Sequence, residues 1–135
     1  MANEAKTSII FRELLREAKY YDDVDTIVEE QKSDNAKIDK LMKNASKRGN
    51  RNGFPDFIIY SKKYPELIIV VEAKADINRH ISDTMDNYAD YAVDGALLYS
   101  SFLSKEFDVL AIGVSGEDTD KFRISHYLQL KGEKA

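Results

Sequence analysis

Pro55-Asp56 stands just ahead of the apolar run Phe57-Ile58-Ile59-Tyr60, and Glu72-Ala73-Lys74 closes the apolar run Leu67-Ile68-Ile69-Val70-Val71. Charged groups at the ends of buried strands are costly unless they bind something. Glu72 and Lys74 are two apart, so on an extended chain they project from one face. Asp56 lies sixteen residues before Glu72, a spacing at which a hairpin returns it beside Glu72. The two carboxylates would then hold a hard divalent cation through oxygen. Mg²⁺ suits them, because it takes one or two carboxylates, keeps several waters and accepts phosphate oxygen; Mn²⁺ is the natural substitute. The backbone carbonyl of Ala73 could complete the ligand set. Lys74 would orient or help deprotonate an attacking water, or neutralise charge in the transition state. The chemistry is hydrolysis of a phosphodiester by metal-activated water; one ion and two remain equally open.

Several elements must position these groups. Ile10, Phe11, Leu14, Leu15 and Ala18 recur at helical spacing. A second helical stretch is expected from Val24, Ile27 and Val28 through Ile38, Leu41 and Met42. Lys32-Ser33-Asp34-Asn35 either runs through it or divides it, with Ser33 or Asp34 as the new cap. Gly49 to Gly53 is a loop by composition, and Ser61 to Glu66 reads as a hairpin connection. Leu67 to Val71 is apolar on both faces and belongs in the middle of a sheet. Helix is expected again from about Ser82 to Leu103, with Met85, Tyr88, Ala92, Ala96, Tyr99 and Leu103 inward and Gly95 marking a kink or join. Phe107 to Val114 reads as a buried strand. Phe122, Ile124, His126, Leu128 and Leu130 then alternate with polar residues, as in a half-buried edge strand. The expected fold is α/β: a central mixed β-sheet flanked by helices on both sides.

A chain of 135 residues, 43% hydrophobic and 33% charged, is long enough for one globular domain over 1–135. The absence of cysteine excludes disulfides and thiolate metal sites and fits a reducing cytoplasm. No stretch approaches the ~18 apolar residues of a membrane span, so no membrane partner is expected. The net charge of −4 argues against broad affinity for nucleic acid, but its distribution does not. Between Lys40 and Pro55 stand Lys40, Lys43, Lys47, Arg48 and Arg51 with no acid among them. This positive window, immediately before Asp56, is where a phosphate backbone would need a counterweight; Lys43, Lys47, Arg48 and Arg51 are the expected DNA contacts.

Proline-aspartate followed by Glu-X-Lys after an apolar run resembles the PD-(D/E)XK nuclease superfamily. Asn3-Glu4-Ala5-Lys6-Thr7 ahead of Leu14-Leu15-Arg16-Glu17-Ala18 is similar to the opening of nuclease domains at the N-terminus of type I restriction subunits and of fused restriction–modification enzymes. Tyr91 to Leu97 and Val109 to Gly116 add to that likeness, which spans nearly the whole chain. The resemblance implies a restriction-endonuclease-like fold and a Mg²⁺-dependent endonuclease acting on double-stranded DNA and leaving 5′-phosphate ends. It matches Asp56 and Glu72 to the metal-binding acids, Lys74 to the catalytic lysine, and Glu4 to an acid of the first helix that joins the active site. It also implies methyltransferase, target-recognition or motor modules in cis or trans, with dimerisation on DNA a reasonable expectation. The chain would be either an excised domain or a short stand-alone relative. Many relatives carry a glutamine one helical turn before a tyrosine; here Asn87 precedes Tyr91 at that spacing.

Each residue also has an ordinary role. Asp56 could be a turn residue after proline, and Glu72 and Lys74 an exposed charge pair. Glu4 suits a helix N-terminus in any case, and lysines suit a helix C-terminus. His80 is expected on the surface and His126 packed on the apolar face of the last strand. The competing function is a DNA-binding or protein-interaction module of the same fold that does not cut; a structure-specific or RNA nuclease would share the same metal site.

Overall fold

The computed structural model describes residues 4–46 and 55–132. Its elements in order are α1 (Glu4–Glu17), β1 (Thr26–Glu29), α2 (Ala36–Ser46), β2 (Phe57–Ser61), β3 (Tyr64–Lys74), a 3-10 turn (Ile77–Arg79), α3 (Ala92–Leu103), β4 (Asp108–Asp118) and β5 (Lys121–Gln129). The strands form one five-stranded sheet in sequence order. Every pairing is antiparallel except β3 with β4, which is parallel and spanned by α3. The sheet is therefore mixed, with β3 at its centre and β5 at one edge, as the apolar patterns require.

Two cores lie on opposite faces. Ile58, Ile68, Val70, Val109 and Ala111 face α2 and α3, meeting Ile38, Met42, Ala96, Tyr99 and Leu103. Phe57, Ile59, Val71, Ala73 and Val114 face α1, meeting Phe11 and Leu15. The inward stripe of α1 is Thr7, Phe11 and Leu15, whereas Leu14 and Ala18 are exposed. No helix among the described residues is long and apolar enough to cross a membrane.

Three expectations are corrected. Residues 26–29 are a strand, not the start of a helix: Thr26-Ile27-Val28 is β-branched throughout, and it finds an antiparallel partner in β2, with Val28 opposite Ile59. Helix then starts anew at α2, capped by Asn35, whose Oδ1 accepts from the amides of Lys37 (3.0 Å) and Ile38 (3.2 Å). Ser33, one of the expected caps, instead accepts the Asn35 amide at 3.1 Å. The helix foreseen from Ser82 begins only at Ala92. Ser82, Thr84, Asp86 and Asp94 bond locally to backbone or to one another, which competes with helix, and Met85 takes a left-handed φ of 60°.

The third correction concerns the histidines. His80 is fully buried, and exposed His126 is not packed. α1 covers β3 and β4, but on the same face of β5 only Phe122 packs against that core, so Ile124, Leu128 and Leu130 are exposed along with His126. His80 instead lies beneath the start of α3. Its Nδ1 is 2.8 Å from the Ser115 hydroxyl and its Nε2 2.8 Å from the Ser125 hydroxyl, and its carbonyl accepts the Val93 amide at 2.8 Å.

Candidate active site at the carboxylate end of the central hairpin

The register of β2 and β3 sets the site. Phe57 pairs with Val71, so the next step along the ladder sets Asp56 against Glu72. A direct bond fixes this arrangement: Asp56 Oδ2 accepts the Ala73 amide at 2.7 Å. Asp56 is thereby oriented through one oxygen. Within a strand, the N–H and C=O of one residue point to the same side. The Ala73 carbonyl therefore faces the Asp56 side of β3.

Asp56, Glu72 and Lys74 line one cleft of about 460 Å³, together with Ala5, Ser8, Ile9 and Arg12 of α1 and with Glu30 and Gln31 beyond β1. Glu72 is buried, only 8% exposed. Its side chain runs against the first turn of α3 at Gly95, where a methyl group would come within 3.1 Å of both Glu72 Cγ and Oε2. The glycine leaves room for this close approach and lies inside one continuous helix instead of at a join. Thr7 secures the α1 wall: its buried hydroxyl donates to the Gly116 carbonyl of β4 at 2.7 Å.

The other site residues foreseen in the sequence fall as follows. Glu4 opens α1, but its side chain lies outside the described residues. Lys43 is exposed on α2, with its Nζ 3.0 Å from Asp39 Oδ2 one helical turn away. Lys47, Arg48 and Arg51 lie outside the described residues. Asn87 and Tyr91 do not share a helix: Asn87 is in the irregular stretch and Tyr91 is the residue before α3. Among the described residues, no three His, Asp or Glu side chains cluster so as to hold a metal ion by themselves.

Arg12 and Glu30 are cleft residues that the sequence reading missed. Arg12 Nε donates to Glu30 Oε2 at 3.0 Å and Nη2 donates to Oε1 at 2.6 Å, a two-pronged ion pair. Hydrogen bonding to Glu30 raises the arginine pKa above its ordinary value; desolvation opposes this, and the negative charge of Glu30 adds to it. A sequence signal existed for half of the pair. Ala5, Ser8, Ile9 and Arg12 recur at i, i+3, i+4 and i+7, the signature of one helix face. Nothing local marks Glu30, whose partner is eighteen residues away. Comparison with protein-family models, with curated proteins and with solved structures found no match to this chain.

Proposed function

We propose that the chain is a metal-dependent nuclease of restriction-endonuclease-like fold, which hydrolyses phosphodiester bonds in double-stranded DNA. One observation carries the reading: the Asp56–Ala73 hydrogen bond ties the start of β2 to the end of β3, so two carboxylates and a lysine converge on one cleft. The donor set fits Mg²⁺, which binds through one or two carboxylates and completes its shell with water and substrate phosphate. Asp56, Glu72 and the Ala73 carbonyl would hold it, and when bound it would supply a more acidic water and neutralise phosphate charge.

The chain's own groups do the rest. Burial of Glu72 against Gly95, and the bond from Ala73 to Asp56, fix both carboxylates before any ligand arrives. Lys74 lines the same cleft from the same face of β3 as Glu72, and its ammonium would orient the attacking water and balance charge on the reacting phosphate. The positive window before Asp56 would draw the DNA backbone to this end of the sheet. Choice of target sequence would rest with methyltransferase, recognition or motor modules acting with this chain, and cutting both strands would call for two copies on the DNA.

Plasmid nicking in Mg²⁺ tests the reading. Wild type should nick supercoiled DNA, and Asp56→Ala, Glu72→Ala and Lys74→Ala should each lower the rate by about a hundredfold or more. Equal rates in all four proteins, with folding confirmed by melting, would end the proposal.

A further inference from the structure

Arg12 and Glu30 meet in the lining of the cleft, joined through both prongs of the guanidinium. That planar fork matches a carboxylate and a phosphate equally well. We propose that Glu30 occupies, within the folded chain, the place of a substrate phosphate, and that Arg12 exchanges it for a phosphodiester group of the nucleic acid entering the cleft. The identity of that ligand rests on the nuclease reading above.

Three observations favour exchange over a fixed strut. First, the pair lines the same cleft as Asp56, Glu72 and Lys74, so a backbone seated on those groups passes within reach of Arg12. Second, the pair is only partly covered, with the Arg12 and Glu30 side chains 33% and 39% exposed. A pair this open to water can be reached by an incoming anion, and a singly charged phosphodiester offers the guanidinium fork the same two-pronged partner as the carboxylate. Third, the backbone holds Glu30 in place. The next residue, Gln31, takes a left-handed φ of 60°, and its amide donates to the Asp56 carbonyl at 3.3 Å. A non-glycine residue in that conformation is strained, and such strain persists where the surroundings impose it. The turn that presents Glu30 to Arg12 is therefore fastened to the residue that opens the candidate metal site.

Exchange leaves the formal charge of the cleft unchanged while swapping an internal anion for an external one. Glu30, already near the surface, returns to water. The device keeps a phosphate-binding arginine folded into position, instead of mobile, when no substrate is present.

The test measures binding of a short fluorescent DNA duplex by anisotropy, in EDTA so that no strand is cut, over a range of salt concentrations. Glu30→Gln frees Arg12 and should tighten binding severalfold. Arg12→Ala should weaken it by about tenfold and reduce the slope of log K against log salt by about 0.9, the value of one phosphate contact. The double variant should match Arg12→Ala alone. Glu30→Gln that binds no better than wild type overturns the proposal. So does a double variant that keeps the gain, which would mean Glu30 acts only by general repulsion, and so does a lack of duplex binding in every protein. Should Arg12→Ala melt early, Arg12→Lys keeps the charge without the fork: weaker binding at an unchanged salt slope supports the exchange, and wild-type binding overturns it. Nicking in Mg²⁺ separates the two readings. A chain that nicks DNA but binds it independently of Arg12 loses only this inference; one whose binding follows Arg12 and Glu30 but which never nicks loses only the nuclease reading.

Discussion

Gly113 lies on β4 directly beneath the first turn of α3, and replacing it with alanine tests how that helix is seated. A methyl group there would stand 2.7 Å from Val93 N, 2.7 Å from Val93 Cγ2 and 2.8 Å from Val93 Cα. Comfortable contacts run ~3.5–4.0 Å, so helix and sheet must part by close to ~1 Å. Two of the three atoms are backbone and cannot rotate away, and the Val93 amide is held by the His80 carbonyl. Overpacking of this kind costs about 1–3 kcal/mol. It is offset by roughly 0.4–1 kcal/mol, because alanine narrows the unfolded ensemble. The midpoints of these ranges leave a net loss of about 1.3 kcal/mol. At ~2.1 cal/mol/K of unfolding entropy per residue, that lowers the melting temperature by about 5 °C. Calorimetry measures it directly. On the proposed function, nicking should fall in the same protein, since a displaced first turn carries Gly95 away from Glu72. A melting temperature equal to or above wild type would refute the close-packing argument.

Further outcomes follow from buried polar groups. Burial, with the positive charge of Arg123 adding to it, lowers the His80 pKa below its ordinary 6.5. The unfolded chain then binds the proton more readily, so stability is full above pH ~6.5 and falls as pH drops toward the lower folded value. Urea titrations from pH 8 to 5 should show this loss in wild type and a flatter profile in His80→Gln. Asp94 is buried and accepts the amides of Ser82 (3.1 Å) and Asn87 (2.8 Å) as well as the Ser82 hydroxyl. Asp94→Ala should cost about 2–3 kcal/mol and speed hydrogen exchange or proteolysis across residues 82–91. Thr7→Val keeps shape but leaves the Gly116 carbonyl without the Thr7 hydroxyl, and should cost about 1–2 kcal/mol by chemical denaturation.

The parts legible in the sequence were those where one local pattern had one physical solution. Leu67 to Val71, apolar on both faces, could only be central, and it is. The approach of Asp56 to Glu72 was legible because hairpin registers depend on spacing, and Phe57 does pair with Val71. The stretch from Val24 to Val28 misled because positions 24, 27 and 28 fit a helix turn as readily as an edge strand; pairing with β2, a tertiary choice, decided it. Residues 82–91 misled because Met85 and Tyr88 continue the helical stripe of Ala92 and Ala96, while the deciding bonds run to Asp94, beyond the segment itself. The burial of His80 was invisible because its partners, Ser115 and Ser125, lie 35 and 45 residues further on. Arg12 and Glu30 were missed for the same reason at shorter range.

The single parallel pairing also sets the order in which the cleft can be assembled. Asp56 and Glu72 belong to a hairpin closed by Lys62 and Lys63, a short loop that forms on a microsecond scale. Lys74 gains its neighbour on β4, Ser115, only after the chain has passed through α3 and returned. Closing that longer loop is entropically slower. During refolding, the acid pair should therefore gain exchange protection before the lysine end of the same strand does. Pulse-labelled hydrogen exchange would reveal the sequence of events, and simultaneous protection of the Asp56–Ala73 and Lys74–Ser115 regions would contradict it.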